Sequence, residues 1–550
     1  MIKELLKEID NVKDQDDLNK LKIKISKKYK LSKIPTNIEI LCMLSKKERE
    51  KYKILKSKPM RTLSGVSVVA VMSKPGKCPH GKCSFCPGGL KSEFGNTPQS
   101  YTGIEPASKR GKRNKYDPYL QVFNRLEHYV LLNQSLEKIE MIIMGGTFLN
   151  FNKKYKEDFV MYCFKALNDF SKEFFSNGLN FEKFKKFFEL PGKMDDEERE
   201  KKIVEKILKL KGKGNLTDEQ ERNEKSKVKL VGLTVETRSD MGKLNEGNEM
   251  LGYGVTRVEI GVQSVYDEVL EEVNRGHTSK DTIESFRILK DLGFKINAHY
   301  MLGLGKDLEG VDELFGENYR PDMLKIYPCM VFRGTELYKK WKKGKYKAIT
   351  TEKASEMIAE IKKKIPEYCR VMRVQRDIGS DFVEAGVDRT NLRQYVEKVM
   401  KEKGIKCRCI RCREIGNKEI GKVKLKVKEY KASEGREFFI SLESGDHIVG
   451  FCRLRFPFEK LRKEISLESG LVRELHVYGE SESINKKGKV QHRGFGKKLL
   501  KKAEEICIKN GKNKVVVISG VGVRGYYKKN GYKKEGVYMV KVIVEENQKI

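Results

Sequence analysis

Six short, almost unbroken apolar runs recur between residues 66 and 329: VSVVAVM (66–72), KIEMIIMGG (138–146), KLVGLTVET (229–237), VTRVEIGVQS (255–264), KINAHYMLGL (295–304) and PDMLKIYPC (321–329). Helical stretches separate most of them. Strands that are apolar along both faces must be covered on both, so the pattern predicts a parallel sheet wrapped by helices. Six strand–helix units fit a partial or full barrel, and the interval from about 150 to 228 reads as a lysine-rich, mostly helical insertion. Reactive groups in such folds gather at the C-terminal strand ends. The unusual residues fall there: a cysteine loop follows the first strand, Gly145-Gly146-Thr147 ends the second, Glu236-Thr237-Arg238 the third and Gln263-Ser264 the fourth.

That loop, KPGKCPHGKCSFCPGG (74–89), sets four and then two residues between Cys78, Cys83 and Cys86. A structural zinc site normally closes with four ligands, so three thiolates leave one metal position open. In a four-iron four-sulfur cluster held by three cysteines, the fourth iron is free to bind a substrate or cofactor. His80, inside the loop, is the alternative fourth ligand. The chain has 12 cysteines, and in a reducing compartment these are not disulfide staples. A second tight group, Cys407, Cys409 and Cys412 in IKCRCIRCREIG, predicts a structural zinc clamp completed from a distance by His476, His447 or Cys452, with Arg408, Arg411 and Arg413 ringing it with positive charge. Scattered cysteines such as Cys42, Cys163, Cys329, Cys369 and Cys507 read as small buried hydrophobes.

Placed after the first strand of such a barrel, with Gly-Gly ending the second, the cysteine loop resembles that of the radical S-adenosylmethionine superfamily. The spacing has one residue more than that superfamily's commonest pattern and so points to a subfamily. The resemblance implies a partial TIM-type (β/α)6 barrel whose 4Fe-4S cluster, held by Cys78, Cys83 and Cys86, chelates S-adenosylmethionine and splits its sulfonium to a 5′-deoxyadenosyl radical. It further implies that Gly145 and Gly146 contact the methionine amino group, that Glu236, Arg238 and Gln263 lie along its carboxylate and ribose, and that Phe85 approaches the adenine.

A second chemistry is written in the C-terminal third. The strand LVRELHVYG (471–479) is followed by KVQHRGFGKKLLKKAEEICIKNG, the strand KVVVISG and VRGYYKKNGY. Gln491-His492-Arg493-Gly494-Phe495-Gly496 opens a helix with Leu499, Leu500, Ala503 and Ile506 on one face. Glycines at a helix entry let the backbone approach a pyrophosphate, and the helix N-terminus adds free N–H groups and a favourable dipole. Between two strands, this turn resembles the acetyl-CoA loop of GNAT-type acetyltransferases, which implies an α/β domain whose cofactor-binding residues run from Gln491 to Lys497. By the same resemblance Tyr526 and Tyr527 lie near the thioester sulfur. Glu474 and His476 are the candidate bases, with a core role as the plainer reading.

The fusion of these two modules resembles the family of Elongator catalytic subunits, over residues from about 60 to 542. The runs that carry it include CSFCPGG, QSYTGIEPASKR, MGGTF, VETR, RVEIGVQSVYD, NRGHT, RVQRDI, RELHVYG, QHRGFG and ISGVGVRGYY. The resemblance implies action on the wobble uridine of tRNA. A radical formed on the methyl group of acetyl-CoA adds to carbon 5 of uracil, and thioester hydrolysis leaves 5-carboxymethyluridine. The alternative is a lysine-directed protein acetyltransferase on an iron–sulfur scaffold. An electron donor is required, and accessory Elongator subunits are a possible set of partners.

Charge agrees with a polyanionic partner. The 550 residues hold 114 Lys plus Arg against 78 Asp plus Glu, a formal net charge of +36. Residues 1 to 58 hold 17 basic against 9 acidic side chains, in two amphipathic-looking helices. Lys109, Arg110, Lys112 and Arg113, beside Tyr116 and Tyr119, form a second basic group suited to RNA phosphates and unpaired bases. No apolar run is long enough to span a bilayer and no secretory signal is evident, so a cytoplasmic protein without membrane contact is expected. The expected order is a basic helical tRNA-binding region (1–60), the radical barrel (61–395), a cysteine-rich zinc linker (396–420) and the GNAT domain (421–550).

Overall fold

The computed structural model describes residues 2–31, 33–55, 65–192, 196–416, 418–478 and 494–543. The described residues form two compact units, one falling within 1–69, 117–140 and 158–230, the other within 70–116, 141–157 and 231–550.

The first sheet is a parallel array whose spatial order follows the chain: β1 (Val66–Met72), β2 (Lys138–Met144), β3 (Lys229–Thr237), β4 (Arg257–Gln263), β5 (Lys295–Leu302), β6 (Met323–Pro328) and β7 (Arg370–Arg373). Parallel registers include Val235 beside Val258, Val258 beside Ile296 and Met323 beside Asn297. The seventh strand was not among the six expected. RVMR lacks an apolar run, and pairing of Met323 with Arg370 and Leu324 with Val371 makes it a strand. The C-terminal ends of β1 to β7 all belong to the second unit.

The barrel strands carry buried charge as well as apolar residues. Glu259 on β4 accepts from Asn297 Nδ2 at 3.1 Å and meets His299 Nε2 at 2.9 Å, and Lys325 also donates to it. Burial alone would raise the Glu259 carboxyl, but Lys325 and His299 hold it well below the usual carboxylate range.

The second unit also carries the C-terminal sheet, in order β8 (Val423–Ala432), β9 (Gly435–Ser444), β10 (His447–Phe456), β11 (Ser469–Val477), β12 (Lys514–Val517), β14 (Tyr538–Val542), β13 (Lys533–Glu535). Only β11 and β12 pair in parallel, from Ser469–Lys514 to Val472–Val517. Beyond Val472, β11 keeps pairing with β10 as far as Val477, so the two parallel strands part company. This sheet is joined to barrel residues by a buried ionic network. Arg473 bonds Asp322 and Glu437, Arg453 bonds Glu474, and Arg455 bonds Asp291 and Glu437.

Among the described residues the first unit begins with four short helices where two were expected: Ile2–Ile9, Gln15–Lys28, Asn37–Met43 and Lys46–Lys51. Thr36 and Ser45 each form a capping box, with Glu39 and Glu48, and these restarts divide the segment. Many of its lysines are neutralised locally: Lys24 meets Glu8 at 2.8 Å, Lys28 meets Glu4 at 2.5 Å and Lys51 meets Asp10 at 2.7 Å. The insertion is helical, with Lys153–Phe174, Phe181–Phe187, Glu197–Lys211 and Leu216–Lys225. Among the described residues no helix is long and apolar enough to cross a membrane.

Candidate active site

The cysteine loop is built into the C-terminal end of the barrel by backbone contacts. Ser84 donates its N–H to Val273 O at 2.9 Å and receives that of Leu337 at 2.8 Å. A Cβ on Gly88 would stand 2.1 Å from Tyr101 O, so the CPGG turn admits only glycine there. Cys83 and Cys86 are buried and Cys78 is half-buried. Each sulfur faces one side-chain N–H donor from outside the loop: Arg238 to Cys78 at 3.1 Å, Arg275 to Cys83 at 3.5 Å and Gln99 to Cys86 at 3.3 Å. His80 lies between Cys78 and Cys83, with ring nitrogens 3.2 and 3.3 Å from their sulfurs. Burial pushes the Cys78 and Cys86 thiols up, and Arg238 opposes this at Cys78. Once thiolates bind metal, these donors hold their charge.

Glu236, Arg238 and Gln263, expected along a bound cofactor, reach the same strand-end region in different states. Glu236 Oε2 accepts from Tyr101 Oη at 2.7 Å and from the Gly145 N–H at 3.3 Å. Arg238 is clamped by Asp240 at 2.9 and 2.6 Å while it donates to Cys78. Gln263 has φ of 70°, and its Oε1 is buried without a partner among the described residues. Ser73 Oγ is likewise buried with no partner among the described residues, and His277, shortly after Arg275 in the chain, is buried. At Gly145, with φ of 113°, a Cβ would fall 2.3 Å from Ser73 Oγ. Unpartnered buried polar atoms beside three donor-supported cysteines fit an iron–sulfur cluster with a polar ligand on its open position. Phe85 lies in the apolar cluster that contains Cys83 and Cys86. Gln99, Tyr101, Arg275 and His277 were not among the expected site residues. Their only signal was membership of the QSYTG and NRGHT runs, because tertiary folding brings Arg275 to a cysteine 192 positions away.

In the C-terminal sheet, Gly494 caps the helix Phe495–Lys509 with φ of 77°, a left-handed conformation that favours glycine. A Cβ on Gly496 would come 2.8 Å from Tyr526 Oη. Tyr526 is 39% exposed and Tyr527 is buried, their rings perpendicular with centroids 5.3 Å apart. Lys497 is exposed on the helix entry. Gln491, His492 and Arg493 lie outside the described residues. Glu474 is paired with Arg453 at 2.8 Å; burial would raise its carboxyl, but Lys295 and Arg453 hold it low. His476 packs among the rings of Phe451 and Tyr478.

The ligand atoms of Cys407, Cys409 and Cys412 lie within 4.8 Å of one another, and among the described residues no other metal-binding side chain joins them. His447, Cys452 and His476, the expected closers, are outside this group. His447 meets Lys418 at 3.0 Å, and Cys452 is buried in β10. The arginines do not form an uncompensated ring either: Arg413 pairs with Glu443 at 3.0 Å, Arg408 with Glu367, and Arg411 approaches Glu414 at 3.7 Å. Taking Arg413 out of water required a carboxylate partner. The cation on the sulfurs is Lys362, 3.5 Å from Cys412. Of the basic group after the cysteine loop, Lys109, Lys112 and Arg113 are exposed, while Arg110 turns inward to Ala70 O at 2.8 Å.

Fold and site together define a radical S-adenosylmethionine barrel fused to a GNAT acetyltransferase domain. The Radical SAM superfamily matches residues 72–316, the Radical_SAM C-terminal domain 321–402 and the Acetyltransferase (GNAT) family 413–532. The ELP3 N-terminal domain matches residues 1–63. The chain is 41% identical over 528 residues to a tRNA uridine(34) acetyltransferase of Methanocaldococcus infernus, covering 92% of this chain and 91% of that one. It is 40% identical to Elongator complex protein 3 of Homo sapiens, covering 99% and 96%. The structure of the archaeal Methanocaldococcus infernus Elp3 lacking residues 1–46 superposes with a TM-score of 0.71 at 36% identity, covering 88% of this chain and all of that one. The chain belongs to the Elongator complex protein 3 family.

Proposed function

We propose that this protein converts uridine 34 of tRNA to 5-carboxymethyluridine, taking the two-carbon unit from acetyl-CoA and using S-adenosylmethionine on a 4Fe-4S cluster. The observation that carries the reading is the pairing of two sites in one chain: three cysteines with one N–H donor each, and a glycine-capped helix entry beside Tyr526. When bound, the cluster and S-adenosylmethionine supply a hydrogen-abstracting carbon radical. In the overall conversion a carboxymethyl group replaces the hydrogen on carbon 5 of uracil, and water releases CoA from the thioester. Relatives named for tRNA uridine(34), matched over 91% and 90% of their own length, support the substrate.

The chain's own residues bind, orient and exclude water. Cys78, Cys83 and Cys86 hold the metal, and Gln99, Arg238 and Arg275 each donate an N–H to one of their sulfurs. Glu236 is fixed by Tyr101 and the Gly145 N–H, which leaves Gln263 Oε1 to receive a donor from the cofactor. Gly494, Phe495, Gly496 and Lys497 receive the acetyl-CoA pyrophosphate, with Tyr526 at the thioester end. A lysine-directed acetyltransferase would need a base free to take an ammonium proton, and Glu474 is bound to Arg453. The setting is cytoplasmic, with tRNA, an electron donor and accessory Elongator subunits as partners.

The test is anaerobic reconstitution with tRNA, acetyl-CoA and S-adenosylmethionine, followed by nucleoside mass spectrometry. Carboxymethylated uridine is the expected product, and acetyl-lysine in its place would overturn the reading. Two further outcomes are expected. Gly496→Val should weaken acetyl-CoA binding by about tenfold in calorimetry, because the new side chain meets Tyr526 and crowds the pyrophosphate turn. We further assign zinc to Cys407, Cys409 and Cys412. Metal analysis of Cys409→Ser should then show one zinc lost per chain, with iron unchanged.

A further inference from the structure

We propose that the cleft lined by Trp341, Tyr346, Lys347, Ala348, Ile349 and Ala385 binds an unpaired nucleotide of the RNA substrate. This rests on the reading that the substrate is RNA, and it assigns where the unpaired strand enters.

The segment Tyr338–Lys347, YKKWKKGKYK, holds six lysines and three aromatic residues in ten positions and has no acid. Thr335 caps the helix Glu336–Lys342, and the chain then turns at Gly344, φ 68°, to bring Tyr346 back toward Trp341. Trp341 and Tyr346 are half-buried, while Lys339, Lys342, Lys343, Lys345 and Lys347 are exposed and form no ion pair among the described residues. The N-terminal helices differ in having lysines already matched by Glu4, Glu8 and Asp10. Lys342 Nζ stands 5.1 Å from the Trp341 ring centre. Ile349, buried, lines a cleft of about 480 Å³, within the range of small-ligand pockets.

Position ties the cleft to the chemistry. Leu337 donates its N–H to Ser84 O at 2.8 Å, so the segment hangs directly on the cysteine loop. Leu337, Trp341 and Tyr346 pack in the apolar cluster that holds Cys83 and Cys86. Tyr346 Oη donates to Gly303 O at 3.0 Å, just past the end of β5. Aromatic faces stack on any unpaired base, and unpaired lysines neutralise the flanking phosphates. A duplex hides its bases and an acidic peptide has none, so a single strand suits this surface best.

Trp341 is the only tryptophan in the chain, so its emission reports this cleft alone. We would titrate the full chain with single-stranded oligouridylate, a duplex of equal length and polyglutamate, following both tryptophan emission and anisotropy of labelled RNA. The expected result is saturable quenching by the single strand, stronger than by the duplex or polyglutamate. Trp341→Ala should weaken RNA binding about tenfold, the scale of one lost base–aromatic stack. Lys342→Gln, Lys345→Gln and Lys347→Gln together, all on the surface, should lower the slope of log affinity against log salt by about 2. Three results overturn the proposal: binding without change in emission and with the salt slope retained in the triple variant, preference for polyglutamate, or no binding of single-stranded RNA. Quenching by RNA without any nucleoside product would instead sink the functional reading and leave this site standing.

Discussion

Cys83→Ala is expected to strip iron and sulfide from the anaerobically reconstituted protein and to reduce 5′-deoxyadenosine formation to that of a cluster-free sample. Two remaining thiolates cannot hold a cluster that three hold, and Arg275 would lose the sulfur it faces at 3.5 Å. Removing one buried sulfur costs roughly 1 kcal/mol of stability, so the loss cannot be put down to unfolding. Acetyl-CoA affinity should stay within about twofold, since the residues proposed to bind acetyl-CoA belong to another sheet and independent sites rarely couple. Iron analysis, deoxyadenosine chromatography and calorimetry on one preparation check all three. Full iron with undiminished turnover would turn the barrel into a scaffold and revive the lysine acetyltransferase reading.

The second large effect is on stability. Arg473 donates to Asp322 Oδ1 at 3.0 Å, to both oxygens of Glu437 at 2.9 and 3.0 Å, and to Phe294 O at 2.6 Å, with all these side chains buried. Arg473→Met removes the cation, leaving Asp322 without its main partner and Glu437 with Arg455. Breaking a buried pair in this way costs about 3–5 kcal/mol, read as a lower urea midpoint. Burial would raise the Asp322 carboxyl, but Arg473, Arg453 and Lys290 hold it well below its ordinary value. Its folded pKa is therefore depressed. The stability it contributes is complete above the unfolded value of about 3.9 and is lost as pH falls toward the folded one. The variant should have less of this to lose, so its urea midpoint should fall less steeply below about pH 4. An unchanged midpoint at neutral pH would show that the network adds nothing to the packing around it.

Much of this was legible in the sequence, for identifiable reasons. Apolar runs such as VSVVAVM and VTRVEIGVQS can be buried on both faces only in a covered parallel sheet, and β1 and β4 follow them closely. Three cysteines within nine residues could be read without any tertiary information. β7 was missed because RVMR owes its strand state to its neighbour and not to its own pattern. Glu259, His299 and Lys325 come from three strands, and each alone reads as a stray charge in an apolar run. The donors to the cysteine sulfurs were hidden because chain distance conceals them: Arg238 lies 160 positions from Cys78. The lysine–aromatic run at 338–347 was open to inspection, but its meaning depended on Leu337 reaching Ser84.

In the proposed reaction the two halves of the chain act on one acetyl group. This is tested most directly with acetyl-CoA carrying three deuterons on its methyl carbon, supplied to the anaerobic protein with tRNA and S-adenosylmethionine. One deuteron is expected in the released 5′-deoxyadenosine and two in the carboxymethyl group of the modified uridine. Deoxyadenosine without deuterium, or uridine carrying an intact three-deuteron acetyl group, would contradict it.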